Sequence, residues 1–284
     1  MPYIPGSSIK GAMRTAILSD FIRKHKDDYA NEWKEIESIA QEIQKIPIPD
    51  KRDKRAIRLC KARFKGSSDR LKSVVDHLEK RLSIAVDKKG ERDMVNSYFR
   101  GLSISDAVLK EGERCIIPKL DLAVNSNKLH PIKALFREAL QAGSILEFTV
   151  GIDDDSENGM GHFGIKTFSD LKVVLQNYLQ FQHDLLKEPF KNNAKEEIDD
   201  LRDAKNVNLR LGAGTGFLMK TLLYSLAPDP YRAVMVTREW MQREFPEGKH
   251  FKDDKISPHT LNLVYKDGYT YLMGLAGIKE EPLC

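Results

Sequence analysis

The sequence predicts an α+β fold with antiparallel sheets, because helical and strand patterns occur side by side along the chain. Apolar residues recur every three or four positions in several segments, which is the period of an α-helix. Other short segments alternate apolar and polar residues, which is the period of a β-strand. Near the C-terminus, the Asp267-Gly268 pair separates two such segments and predicts a hairpin turn.

Apolar stripes and the residues that interrupt them predict the helices. In residues 33–46 the stripe contains Ile36, Ile39 and Ile43. Gly66 and the two serines after it predict a break between two basic helices. The predicted helices cover approximately residues 9–24, 33–46, 51–64, 68–82, 168–187, 217–226 and 231–245.

Alternation of apolar residues predicts the strands. The clearest example is Leu146, Phe148 and Val150, which we expect on one face of a strand. The segment 196–205 is charged and predicts a loop or a short helix. The predicted strands cover residues 102–106, 114–123, 145–152, 261–265 and 269–275.

Composition argues against a membrane span and against a disulfide framework. Apolar residues make up 41% of the chain and charged residues 31%, and no apolar run approaches the roughly 20 residues of a spanning helix. No signal peptide is visible. Cys60, Cys115 and Cys284 are far apart and odd in number, which also argues against a zinc site. We therefore expect a cytoplasmic protein that does not enter membranes.

Residues 3–14 (YIPGSSIKGAMR) form the first distinctive segment. They predict a short extended stretch, a glycine turn and a helix that Ser7 or Ser8 caps. The N-terminus of a helix presents free backbone N–H groups at the positive end of the helix dipole, which suits a phosphate. An ordinary capped helix is the alternative that the segment alone leaves open.

Four further residues of this segment fit a nucleic-acid interface. Lys10 and Arg14 lie four residues apart, so they share one face of the predicted helix and place two positive charges there. Gly6 and Gly11 leave room for another backbone to approach closely. The segment therefore predicts a site for a phosphate backbone.

Residues 209–221 (LRLGAGTGFLMKT) form the second distinctive segment, with three alternating glycines ahead of a predicted helix. A nucleotide-binding P-loop needs Gly-Lys-Thr, but Met219 stands where that glycine belongs, and the G-x-G-x-G spacing also departs from a dinucleotide fingerprint. The segment predicts a glycine-lined surface with Arg210, Phe217 and Lys220 around it, suited to a polyanion with stackable bases. A structural glycine turn is the alternative.

Together these two segments resemble the RAMP proteins of type III CRISPR effector complexes, in particular the family of fifth Csm subunits in type III-A complexes. The resemblance rests on residues 3–12 and 211–217. Weaker matches, in the order that the family shows, lie at residues 102–106, 135–138, 258–260 and 273–275.

This resemblance implies ferredoxin-like, RRM-like antiparallel sheets in two regions. The first is residues 1–152, with a large helical insertion over about residues 20–95, and the second is residues 153–284, with the glycine-rich loop. Family members carry a region before the first motif that includes the first strand of the first domain. Because Met1 lies almost on that motif here, we expect an incomplete first domain whose sheet edge is open or borrowed from a neighbour.

The resemblance also implies a function: a structural subunit that binds CRISPR RNA in a type III-A (Csm) interference complex, caps the 3′ end of the guide and aids its maturation. The implied partners are the CRISPR RNA, the backbone RAMP subunit, the Cas10-type large subunit and host trimming nucleases, and no membrane. The predicted RNA-binding residues are Ser7, Ser8, Lys10, Gly11, Arg14, Arg210, Gly212, Gly214, Gly216, Phe217 and Lys220.

The charge distribution is uneven although the net charge is only +4. Residues 51–92 contain fifteen Lys or Arg against six Asp or Glu. Such a block fits the phosphate backbone of RNA. A solvated helical face is the alternative, and it is the commoner one for charge runs.

We expect no catalysis, no cofactor and no metal. His162 is the histidine best suited to act as a general base, and it would serve the alternative function of an endoribonuclease that processes precursor CRISPR RNA. His259 matches a family position and is predicted to be structural or to contact RNA. Asp93 lies in a loop comparable to the catalytic loop of the neighbouring RAMP subunit, but nothing distinguishes it from a surface acid. Residues 153–157 form an acidic turn without the spacing of a metal-binding loop.

Overall fold

The computed structural model describes residues 2–50, 52–86, 90–124, 126, 129–155, 157–203, 205, 207–266 and 268–281, with the backbone alone at 130–135. The α-helices of these residues are α1 (Gly6–Lys24), α2 (Ala30–Gln44), α3 (Lys54–Ser83), α4 (Phe168–Leu186), α5 (Lys195–Asp199), α6 (Leu223–Leu226) and α7 (Pro230–Glu244). None of them is long and apolar enough to cross a membrane.

The strands form four antiparallel sheets within the described ranges. The strands are β1 (Tyr3–Ile4), β2 (Leu102–Ile104), β3 (Ala107–Glu111), β4 (Arg114–Ala123), β5 (His130–Leu140), β6 (Ile145–Glu147), β7 (Val150–Ile152), β8 (Leu209–Arg210), β9 (Thr260–Lys266), β10 (Tyr269–Leu272) and β11 (Leu275–Ala276). The strand orders are β1-β3-β6, β10-β9-β4-β5, β11-β8 and β2-β7. The predicted mixture of helices and antiparallel sheets is therefore confirmed.

Two compact units make up the chain. The first consists of Met1–Asp20, Ser83–Thr221 and Thr260–Cys284, and it contains the described strands. The second consists of Phe21–Leu82 and Leu222–His259 and is helical. The predicted boundary at residue 152, between two RAMP-like regions, is a different division of the chain, and it stays a prediction.

Apolar strand residues form part of the core of the first unit. Leu120 pairs with Leu263 and Leu122 pairs with Leu261, and all four side chains are buried. Because directly paired residues point to the same face of a sheet, one face of β4 and β9 is packed here. This face belongs to the largest sheet of the unit.

The second unit is held by contacts between α2 and α7. Arg232 on α7 forms a bidentate ion pair with Glu37 on α2. The buried Arg243 donates to the carbonyl oxygens of Gln44 at 2.8 Å and Ile46 at 3.1 Å. These carbonyls lie at the C-terminus of α2, where a helix leaves acceptors without intrahelical partners.

Most of the predicted helices are confirmed, but two predictions are wrong. The break at Gly66 does not occur, because α3 runs through it from Lys54 to Ser83. The helix predicted over residues 217–226 is reduced to the single turn of α6, Leu223–Leu226. Lys51, where the first basic helix was expected to begin, lies outside the described residues.

The strand predictions missed three strands and merged others. β3, β5 and the two-residue β8 were not predicted, although β5 is the partner of β4 along most of its length. The strand predicted over residues 269–275 ends at Leu272 as β10, and β11 begins at Leu275. The strand predicted over residues 145–152 is divided, since β6 pairs with β3 and β7 pairs with β2. The hairpin of β9 and β10 is confirmed, and Asp267 of its predicted turn lies outside the described residues.

Candidate nucleic-acid interface

The first predicted site lies at the N-terminus of α1, and it is built differently from the expected capped helix. The helix begins at Gly6, so Ser7 and Ser8 lie in its first turn and are exposed rather than serving as N-caps. The backbone N–H of Gly6 donates to Oδ1 of Asp106 at 2.8 Å. A carboxylate thus already occupies the position beside Gly6 that was predicted for a phosphate.

Gly6 confirms the predicted close approach of another backbone. A Cβ atom at this position would lie 2.4 Å from the carbonyl oxygen of Ile104 and 2.6 Å from that of Ser105, closer than real atoms pack. Gly11 differs, because a Cβ atom there would meet nothing within 4 Å. Gly6 therefore lets the C-terminal end of β2 and Ser105 approach the helix end, while Gly11 lies on an open face.

The two predicted cations of α1 are both half-buried. Burial lowers the pKa of Lys10. The Arg14 guanidinium donates to Oγ of Ser83 at 3.2 Å and lies 5.6 Å from the centre of the Phe99 ring. Arg14 is thus oriented by packing, and a cation within about 6 Å of an aromatic face is attracted to it.

Phe99 links Arg14 to a group of aromatic side chains that the sequence did not predict. We call Tyr98, Phe99, His162 and Phe163 the aromatic cluster. Tyr98 and His162 stack in parallel with ring centres 3.8 Å apart, and Phe163 meets both rings edge-on. Phe99 lies 5.2 Å from Phe163, centre to centre. Phe99 is buried, whereas the other three rings are half-exposed and can offer stacking surface to a base.

The sequence contained a signal for this cluster, namely aromatic residues beside a cation and between glycines. Tyr98 and Phe99 precede Arg100, and His162 and Phe163 lie between Gly161 and Gly164. The sequence alone does not show that the two segments meet. His162, the candidate base of the ribonuclease alternative, has its imidazole stacked on Tyr98.

The second predicted site, the glycine-rich segment, follows β8 and is held by strand β9 and by the turn between β10 and β11. Gly212 and Gly216 have φ angles of 96° and 84°, which favour glycine. A Cβ atom on Gly214 would lie 2.5 Å from Sδ of Met273, so this glycine is required for packing. The side-chain amide of Asn262 donates to the Gly214 carbonyl at 2.9 Å. Gly212 is exposed, but Gly214 is buried, so only part of the predicted glycine surface is accessible.

The prediction that Arg210 contacts RNA is wrong, because its charge is not presented at the surface. The side chain is buried, and its Nε donates to the Met273 carbonyl at 2.9 Å. Burial lowers the pKa of Arg210 to about 10, so the guanidinium stays charged at neutral pH. Arg210 supports the loop that covers Gly214.

Phe217 and Lys220 follow the last glycine in a turn rather than in the predicted helix. The N–H of Lys220 donates to the Phe217 carbonyl at 2.9 Å, and Gln182 of α4 donates to the Leu218 carbonyl at 3.3 Å. Lys220 is exposed and Phe217 is half-buried. The two predicted segments are thus held by different neighbours in the same unit, and the predicted cations with solvent access are Lys10, Arg14 and Lys220.

One cluster in the second unit could hold a metal ion. Nδ1 of His250 lies 3.0 Å from Oδ2 of Asp253, and Nδ1 of His259 lies 2.6 Å from Oδ1. The donor atoms of the three residues lie within 4.8 Å of one another. A hydrogen bond to Asp253 raises the pKa of His259. Burial alone would raise the pKa of Asp253. Hydrogen bonds from both histidines outweigh the effect of burial, so the pKa of Asp253 is lowered. These hydrogen bonds satisfy the buried carboxylate.

The acidic turn is organised by its own backbone. Oδ1 of Asp153 accepts the N–H of Asp155 at 3.1 Å, and Oδ1 of Asp155 accepts the N–H of Glu157 at 2.8 Å. The hydrogen bond from Glu157 lowers the pKa of Asp155. Ser156 of this turn lies outside the described residues.

Comparison with known protein families identifies the family of the chain that carries the opening motif and the glycine-rich segment. A family model described as the RAMP superfamily matches residues 1–226. The chain belongs to the RAMP superfamily. The search of curated proteins found no match.

The fold of this RAMP protein is also found among solved structures. It resembles a chain in the cryo-EM structure of a Csm–crRNA–target RNA ternary complex of a type III-A CRISPR-Cas system. The TM-score is 0.53 with 19% sequence identity, and the match covers 96% of this chain and 72% of that chain. This likeness confirms the predicted RAMP fold.

Proposed function

We propose that this RAMP protein is a structural, RNA-binding subunit of a type III-A CRISPR complex, in the position of the fifth Csm subunit at the 3′ end of the guide RNA. The observation that carries the proposal is the fold likeness over 96% of the chain to a protein in a Csm–crRNA complex. Membership of the RAMP superfamily and the opening motif support it. The proposed partners are CRISPR RNA, the backbone RAMP subunit, the Cas10-type subunit and trimming nucleases of the host, in the cytoplasm.

The described surface supports RNA binding through two kinds of contact. Lys10, Arg14 and Lys220 have solvent access and can pair with phosphates. The half-exposed rings of Tyr98 and His162 can stack with a base, which is a sequence-tolerant contact. Phosphate contacts dominate the affinity of such surfaces, so binding is strongly salt-dependent.

The test measures RNA affinity by fluorescence anisotropy with a labelled single-stranded CRISPR RNA and the full chain. Lys10→Ala with Tyr98→Ala is expected to weaken binding about 10-fold or more, because stacking alone contributes about 1–3 kcal/mol per base. Lys255→Ala with Tyr231→Ala is the matched control, since both residues are exposed and lie in the second unit. Equal affinities of the two double variants would contradict the proposed surface.

The ribonuclease alternative has a separate test. The purified chain is incubated with labelled repeat RNA, and we expect no cleavage. Specific cleavage that is lost in His162→Ala would overturn the structural role, because it would assign His162 the proton transfer of a general base.

A further inference from the structure

The N-terminal half of α3 carries a row of cations that the proposed function does not use. Lys54, Arg58, Lys61 and Lys65 recur at helical spacing, so they lie on one face, which we call the basic face. All four side chains are exposed. Within the part of the chain that the structure describes, none of the four forms an ion pair or a side-chain hydrogen bond. The basic face extends for about 17 Å along the helix axis.

The C-terminal half of the same helix is different. On the same face the row continues as Asp69, Lys72, Asp76 and Glu79, and over the whole C-terminal half the charges are nearly balanced, with four cations and three acids. Lys72 lies 4.0 Å from Asp69. The concentration of positive charge is therefore in the N-terminal half of α3, where Arg55 and Arg63 add exposed cations beside the basic face and no acidic residue occurs.

The basic face opposes the stability of the helix that carries it. Neighbouring like charges at spacings of three and four residues repel one another and destabilise a helix. Cations near the N-terminus also interact unfavourably with the positive end of the helix dipole, and the first turn of α3 contains no acidic residue. Asp53, whose carboxylate accepts the N–H of Ala56 at 2.9 Å, offsets part of this charge at the helix start. A polyanion bound along the basic face would offset this repulsion.

We propose that the basic face binds the phosphate backbone of RNA, as a second contact separate from the Lys10 and Tyr98 surface. The inference rests on the proposed function, because it assumes that the chain works on RNA. Three of the four residues are lysines, which protein–protein interface cores avoid. Lysine and arginine rows are instead typical of phosphate contacts, which position a nucleic acid without reading its sequence.

The test compares two quadruple variants of the full chain with wild type. In the first, Lys54, Arg58, Lys61 and Lys65 are all changed to Gln, which keeps helix propensity. In the control, the exposed lysines Lys34, Lys72, Lys80 and Lys255 of the same unit are changed to Gln. Affinity for a labelled single-stranded RNA is measured by anisotropy between about 50 and 300 mM KCl.

We expect the basic-face variant to lose about 10-fold or more in affinity near 150 mM KCl, and the slope of log affinity against log salt to fall by up to about 3, at roughly 0.7 per phosphate contact. The control keeps the wild-type slope. The basic-face variant also keeps or raises the melting temperature, because the like-charge repulsion is removed.

Several outcomes would overturn the inference. Equal slopes for the two variants would do so while leaving the proposed function intact, provided that wild type binds RNA. Absence of RNA binding by wild type would overturn both. Unchanged RNA affinity of the basic-face variant together with loss of co-purifying Csm subunits would assign the basic face to an acidic protein partner instead.

Discussion

Two glycines on one helix, only five residues apart, are expected to respond oppositely to the same substitution. Gly6→Ala places a Cβ atom 2.4 Å from the Ile104 carbonyl oxygen, so the neighbouring backbone must move. Gly11→Ala adds a methyl group in open space within a helix, where alanine is favoured over glycine. Measured by denaturant unfolding, Gly6→Ala is expected to lower the free energy of unfolding by about 1–3 kcal/mol.

The substitution Gly11→Ala is the control for Gly6→Ala. Gly11→Ala is expected to raise the free energy of unfolding by about 0.4–1 kcal/mol. If Gly6→Ala proved as stable as Gly11→Ala, the close approach of residues 104–105 to the start of α1 would be wrong.

The buried carboxylate of Asp253 predicts a pH-dependent stability. His259 has a raised pKa, so its contribution is fully present below about pH 6.5, its unfolded value, and is lost as pH rises through the folded value. Asp253 has a lowered pKa, so its contribution is present above its unfolded pKa of 3.8 and is lost as pH falls. The two contributions coexist between these values.

Asp253→Asn is therefore expected to destabilise the protein most near pH 5.5, by about 1–3 kcal/mol, and less at pH 8.5. Thermal unfolding at the two pH values gives the measurement. Lys255→Gln, an exposed neighbour, serves as the control. A loss of stability for Asp253→Asn that is the same at both pH values would show that the charge pairing with His259 does not contribute.

At the level of elements, sequence periodicity predicted helices with a buried stripe. It missed strands and clusters that form only through contacts with residues distant in sequence. The stripe of α2 was predicted correctly because its residues are buried as the spacing requires. β5 was missed because residues such as Ala134, Leu135 and Glu138 favour a helix, and pairing with β4 overrides that preference. The aromatic cluster was missed for the same reason, since Tyr98 and His162 are 64 residues apart in sequence.

The continuity of α3 through Gly66 is a further element-level result, and it makes a testable claim. A helix can absorb the roughly 1 kcal/mol cost of one glycine when an apolar stripe is buried along it, and Cys60, Phe64, Val74, Leu78 and Leu82 form such a stripe.

Because a Cβ atom on Gly66 meets nothing within 4 Å, Gly66→Ala is expected to raise the melting temperature by a few degrees, equivalent to about 0.5–1 kcal/mol. Differential scanning calorimetry provides the measurement. A lower melting temperature would support the break that the sequence predicted.

At the scale of the whole molecule, two short sequence motifs indicated the family. The structure gives several of their residues a packing role that the sequence did not predict. Arg210 and Gly214 are part of the packing of the glycine-rich segment, and Asp106 accepts the Gly6 N–H at the helix end that was predicted for a phosphate. In the proposed function, the accessible cations and the half-exposed rings of Tyr98 and His162 are the groups that contact RNA. Burial of this kind depends on contacts between distant segments and is not visible in a motif.

The most direct test of the central claim compares type III-A complexes purified with and without this chain. The extracted CRISPR RNA is measured on a denaturing gel and its 3′ ends are sequenced. We expect RNA and other Csm subunits to co-purify with the tagged chain, and the 3′ ends to become longer or heterogeneous when the chain is omitted. Identical RNA ends and identical subunit composition in both complexes would contradict a role at the 3′ end of the guide.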